Sequence, residues 1–111
     1  MYTELYKLKL AASPHIAARE ENIEIDVEKI YEEFCHLSSA GGRLIIEGAG
    51  GILVPLNKNK FVLDLIKLLD AKVILISRNY LGSINHSLLT AMACKAKKID
   101  VCGWIFNDQY L

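Results

Sequence analysis

Residues 4–10, ELYKLKL, alternate apolar and polar side chains with period two, which predicts a short strand with one buried face. The period then lengthens. SPHIAAREE at 13–21 reads as a short helix that Ser13 caps and whose first turn accommodates Pro14. After a connector at 22–26, Asp26 caps a second helix, VEKIYEEFCHL at 27–37. Its apolar residues Val27, Ile30, Tyr31, Phe34 and Leu37 share one helical face, and SSAGG at 38–42 ends it. RLIIEG at 43–48 opens with a continuous apolar run, as a strand buried on both faces does. Helical spacing returns in FVLDLIKLL at 61–69, with Asp64 and Lys67 facing outward. KVILIS at 72–77 is a further buried strand. GSINHSLLTAMACKAKK at 82–98 is a long helix capped by Ser83, with Lys95, Lys97 and Lys98 where a helix C-terminus favours cations. DVCGWIFN at 100–107 is the last strand.

Strands that are apolar on both faces and alternate with helices predict an α/β fold, a parallel sheet flanked by helices. The 111 residues suit one domain and not two. No internal repeat, low-complexity tract or linker interrupts them. DQYL at 108–111 follows a strand at a point where such a fold would continue into another helix. The chain is therefore expected to be a fragment of a larger domain.

Composition narrows the range of partners. The chain is 52% hydrophobic and 23% charged, a globular balance. Thirteen basic residues offset thirteen acidic ones, which gives no electrostatic support for binding nucleic acid or an anionic membrane and leaves little repulsion against self-association. No apolar run approaches the roughly 18 residues of a membrane span. The N-terminus lacks a signal-peptide pattern, so a cytoplasmic setting is expected. Cys35, Cys94 and Cys102 have no metal-ligand spacing and read as buried or half-buried free thiols.

In an open parallel sheet, ligands sit beyond the C-terminal ends of the strands. Three features of the sequence fall there, and the topology predicts that they converge. Glu47 and the glycines Gly48, Gly50 and Gly51 follow one strand. A carboxylate at the mouth of a buried strand calls for a cation or strong donors. A magnesium ion bridging phosphate oxygens is one such cation, and a lysine or arginine beside a tight turn is another. RNYLGSINH follows the second strand. There Gly82 can take a positive φ, and the first helix amides form an anion site or simply an ordinary capped start. Asn107 and Asp108 close the third strand, as a turn or as a reader of a base edge. His15, His36 and His86 form no metal pattern, and no Ser-His-Asp or Cys-His arrangement is visible.

SPHIAA (13–18), IIEGAGGILVPL (45–56), VILISRNYLGSINHSLLT (73–90) and CGWIFND (102–108) together resemble the dethiobiotin synthetases, the ATP-dependent ring-closing enzymes of biotin synthesis. The order and approximate spacing of the four pieces match that family. The resemblance implies a P-loop NTPase-like, doubly wound fold, here lacking its first strand and phosphate loop, because no G-x-x-x-x-G-K-[ST] pattern occurs in the 111 residues. It implies Glu47 as the catalytic ligand to magnesium, and Glu47, Gly48, Ala49 and Gly50 along the ATP phosphates. It places Asn107 and Asp108 at the adenine end. Gly50, Leu81, Gly82, Ser83, Ile84 and Asn85 would bind 7,8-diaminopelargonic acid, the amides of 83–85 holding its carboxylate across a homodimer interface. The family carboxylates that amine with CO2, phosphorylates the carbamate and closes the ureido ring. Without the phosphate loop, the 111 residues alone are expected to turn over negligibly. A non-catalytic dimerising or small-acid-binding module, and a relative of the cobyrinic acid amidation enzymes, which also resemble EGAG after an apolar strand, are the alternatives.

Overall fold

The computed structural model describes residues 4–108. Its elements run α1 (Pro14–Glu20), α2 (Val27–Ser39), α3 (Val62–Leu68), β1 (Val73–Arg78), α4 (Ser83–Ala96) and β2 (Val101–Asn107). They fall into two compact units, Met1–Leu69 and Asp70–Leu111.

The first unit is built on helix caps and one small core. The Asp26 side chain accepts from the Glu28 amide and starts α2, as its position predicts. Ala18, Ile25, Val27 and Leu56 are buried together, with Tyr6, Leu8, Ile30, Val62 and Leu65 against them. Residues 4–10 are not a strand. Tyr6 and Leu8 do face the core alternately, so the period-two pattern marks an extended, half-buried segment. What it lacks is a ladder partner. Side chains take over instead: the Asp26 amide donates to the Tyr6 hydroxyl at 3.0 Å, and the Lys9 amide to Glu21 Oε1 at 2.7 Å.

The expectation for 43–48 is corrected for the same reason. Leu44, Ile45 and Ile46 are exposed, Ile45 to 94%, and no ladder forms on them among the described residues. A continuous apolar run becomes a strand only where edges and faces find partners. α3 follows from a local device. The Phe61 amide donates to Asp64 Oδ2 at 2.8 Å, so Asp64 is half-buried and caps the helix instead of simply facing outward.

The second unit is a β-α-β crossover. β1 and β2 pair in parallel, with Ile74 opposite Gly103, Leu75 opposite Trp104, Ser77 opposite Phe106 and Arg78 opposite Asn107. The register slips once between Val73 and Ile74, which leaves Cys102 as an extra residue on β2. α4 lies on one face of this ribbon. There the Trp104 Nε1 donates to Ser77 Oγ at 2.7 Å, and Ser77 Oγ meets Ser87 Oγ at 2.7 Å. Ser77 is the buried polar side chain of this unit, and the relay satisfies it across two strands and a helix. Ile74, Ile76 and Ile105 on the opposite face stay exposed. The three cysteines are free thiols, but only Cys94 is buried; Cys35 and Cys102 are exposed. Burial pushes the Cys94 thiol above its ordinary value.

Candidate functional site

The glycine loop belongs to the first unit. Its far side is tied to the start of α3, where the Leu63 amide donates to the Ile52 carbonyl at 2.9 Å and the Val62 amide to the Val54 carbonyl at 3.0 Å. The loop thus supplies acceptors for two of the helix donors that have no partner within the helix. Gly50 has φ +76°, and a Cβ there would stand 2.9 Å from Val54 Cγ2. Both backbone conformation and space demand glycine at this position. Gly51 meets no such limit, since nothing lies within 4 Å of a Cβ there.

Glu47 precedes this loop with its side chain exposed, so the poorly solvated strand mouth expected of it is corrected. Ala49 and Gly50 line a groove of about 300 Å³ together with Ala11, Ala12, Ser13, Pro14 and Val54. Ser13 is the N-cap of α1, as its position predicts, but its hydroxyl makes no cap hydrogen bond. Pro14 is at the head of the helix as predicted.

The second locus is the C-terminal end of the ribbon in the other unit. β1 ends at Arg78, directly across from Asn107 at the end of β2, with exposed Asp108 next. The chain leaves β1 through 79–82 and enters α4. The residue before the helix is Gly82 at φ 94°, so glycine and not Ser83 is the N-cap. Ser83 is the first helical residue, and its hydroxyl donates to the Arg78 carbonyl. No side chain caps α4. The Ser83 amide is already used, donating to the Tyr80 carbonyl at 3.0 Å. Of the three amides expected to bind a carboxylate, those of Ile84 and Asn85 are open, with no protein acceptor among the described residues. Leu81 is fully exposed and Ile84 is 80% exposed beside them.

The second unit therefore brings Arg78, Gly82–Asn85 and Asn107 to one strand mouth. Glu47, Gly48, Ala49 and Gly50 lie together on the loop of the first unit. Three residues beside this mouth, Arg78, Tyr80 and His86, are not marked by hydrophobic periodicity. Arg78 has its guanidinium carbon 5.9 Å from the centre of the Tyr80 ring. Tyr80 and His86 are joined by a 2.8 Å bond between the hydroxyl and Nδ1. A cation closing a strand was the available hint for Arg78. For the pair, nothing in the spacing foretells that a turn will fold an aromatic onto a histidine six positions on.

The sequence matches the AAA domain family over residues 1–110. It is similar to the ATP-dependent dethiobiotin synthetase BioD of Cytophaga hutchinsonii, 52% identical over 107 residues that cover 96% of this chain and 50% of the relative. It is also similar to the protein of that name from Thermodesulfovibrio yellowstonii, 47% identical over 108 residues, covering 91% of this chain and 45% of the relative. The corresponding Lawsonia intracellularis protein is 43% identical over 109 residues, covering 98% and 51%. The chain spans about half the length of the curated relatives it matches.

Proposed function

This chain belongs to the AAA domain family and is similar to dethiobiotin synthetases along nearly its whole length, and from that premise we propose that it is part of an ATP-dependent enzyme that converts 7,8-diaminopelargonic acid and CO2 to dethiobiotin. The two units would belong to one larger P-loop-type domain. The observation that carries this reading is a similarity running through 96% of the chain, so that no motif stands alone.

The geometry supports particular roles. The loop from Glu47 to Gly50 would run along the ATP phosphates, since glycine there keeps side chains out of the way of an approaching anion. Glu47 would be the chain's magnesium ligand. Among the described residues no three His, Cys, Asp or Glu gather into a metal site. A single exposed carboxylate fits an ion that arrives with the nucleotide, keeps much of its water and takes one or two protein carboxylates. When bound, magnesium neutralises charge on the transferring phosphoryl group. Asn107 and Asp108 would meet the adenine end, where an amide offers both donor and acceptor.

At the start of α4, the Ile84 and Asn85 amides would take the substrate carboxylate. The macrodipole favours an anion there, and the cap that would compete with it is missing. Gly82 and Ser83 shape that turn, and Leu81 and Ile84 would touch the alkyl chain. Homodimerisation is supported by the exposed stripe Ile84, Leu88 and Met92, which recurs every fourth residue along α4. No helix among the described residues is long and apolar enough to cross a membrane. The reading retains a cytoplasmic setting.

The test is complementation. The chain is co-expressed with the N-terminal half of the Cytophaga hutchinsonii relative in cells that lack dethiobiotin synthetase. Growth without biotin that is lost on Glu47→Gln supports the proposal. No growth, together with calorimetry showing that the co-purified halves do not bind magnesium-ATP, overturns it.

A further inference from the structure

The turn between β1 and α4 is braced more heavily than an uncapped, glycine-started helix requires. Glycine at the N-cap leaves the first turn without a side-chain acceptor, and glycine is the residue with most conformational freedom to lose. Gly82 is therefore the point at which the 79–85 segment would pivot. Two bonds from Ser83 cross the pivot close to it: the hydroxyl to the Arg78 carbonyl, and the amide to the Tyr80 carbonyl. A third bond crosses it further into the helix and joins two side chains. Tyr80, two residues before Gly82, meets His86, four residues after it, at 2.8 Å between the hydroxyl and Nδ1.

His86 acts twice in this turn. Its amide donates to the Gly82 carbonyl at 3.0 Å and closes the first helical turn. Its ring lies against the glycine, with Cε1 3.7 Å from where a Cβ on Gly82 would stand, and 5.6 Å from the Tyr80 ring centre to centre. With the proton on Nε2, Nδ1 is a bare acceptor and the tyrosine hydroxyl is the donor. The Arg78 guanidinium also lies over the Tyr80 ring, 5.9 Å from its centre. The Tyr80 and His86 side chains thus meet across the turn that carries two open amides. A separate bond, between Ser77 and Ser87, joins the helix to β1.

We propose that Tyr80 and His86 form a clasp across Gly82 that aims the Ile84 and Asn85 amides, making them positioning residues for a ligand carboxylate. The inference rests on the reading of that turn as a carboxylate site. The clasp acts by preorganisation: amides held in the binding geometry lose less freedom when the anion arrives. Removing the clasp is expected to cost carboxylate affinity and little else.

The experiment is a nuclear magnetic resonance titration of the 15N-labelled chain with heptanoate, and with 1-heptanol as the partner that lacks the carboxylate. Heptanoate is expected to move the Ile84 and Asn85 amide signals. Tyr80→Phe keeps the ring and loses only the hydroxyl; it should weaken heptanoate binding about fivefold, the size of one lost hydrogen bond, and leave the heptanol response unchanged. His86→Ala should match it. His86→Asn, whose side-chain oxygen can replace Nδ1 as acceptor, should recover most of the loss. Thermal melting of each variant separates the effect from unfolding. Equal heptanoate affinity in wild type and Tyr80→Phe overturns the clasp and leaves the carboxylate site standing. Heptanoate that leaves both amides unmoved in the wild type overturns the site and the clasp together.

Discussion

Two glycine turns follow apolar runs in this chain, and they are held in opposite ways. Gly50 is locked by space: its φ of +76° and the Val54 methyl 2.9 Å from a would-be Cβ leave no room for another residue. Gly82 has a similar φ, +94°, but its nearest neighbour to a Cβ is the His86 ring at 3.7 Å, ordinary contact. Its turn is held by side chains that reach around it. The first arrangement penalises any side chain through both conformation and contact. The second is held by removable hydrogen bonds, so its stiffness can be altered without touching the fold. On the proposed function, a loop that lies along phosphates needs bare backbone, and a turn that points two amides at a carboxylate needs aim. The two loci differ in just that respect.

The difference is broken most directly at the glycines. Gly50→Ala should destabilise the chain by about 2–4 kcal/mol, since it adds left-handed strain of about 1–2 kcal/mol to a steric clash. Gly82→Ala should cost only the strain, about 1–2 kcal/mol. Urea denaturation of both variants reads the gap. Adding Val54→Ala to Gly50→Ala should return part of the loss, because the shorter side chain removes the atom that clashes. Full additivity of the two changes would mean that the Val54 contact does not constrain Gly50.

A second comparison sets the relay at Ser77 against the clasp at Tyr80. Ser77→Val removes the acceptor of the Trp104 indole N–H at a half-buried site and should cost about 1–3 kcal/mol. It should also shift the tryptophan emission, since Trp104 is the chain's single tryptophan. Tyr80→Phe breaks an exposed bond and should change stability by less than about 1 kcal/mol. Similar losses from the two would erase the distinction between a bond that builds the unit and one that tunes its turn.

What the sequence made legible follows from how local each signal is. The Asp26 cap and the apolar face of α2 depend on neighbours within a turn or two, and both appear where the pattern puts them. β1, α4 and β2 were readable because a parallel pair and its crossover helix are contiguous in the chain. Residues 4–10 and 43–48 carry strand patterns of equal quality. Their fate hangs on a distant edge to pair with, and period and hydrophobicity cannot report one. Gly82 over Ser83 as the cap is a smaller case. Both residues suit the position, and the choice is made by the Arg78 carbonyl, which captures the serine hydroxyl. At the glycine loop Gly50 takes a conformation that favours glycine, but the exposure of Glu47 depended on the strand that did not form.

The thiols give the finest measure of the contrast between the two units. Cys35 lies exposed in the first and Cys102 exposed in the second, while Cys94 is fully buried in α4. Native chain should therefore show two thiols that react quickly with a disulfide reagent and one that waits for opening. The raised folded-state value of Cys94 has a definite sign. The folded chain holds that proton more tightly than the unfolded one, so stability is full below the ordinary thiol range and declines as pH rises above it. Ser77→Val loosens the face on which α4 rests and should speed Cys94 labelling severalfold at a fixed pH. Tyr80→Phe should leave that rate within about twofold of wild type, because its bond touches only the start of the helix. A Tyr80→Phe chain that exposed Cys94 as fast as Ser77→Val would show that the clasp supports the helix as a whole. Unchanged labelling beside weakened carboxylate binding would show that it serves the turn alone.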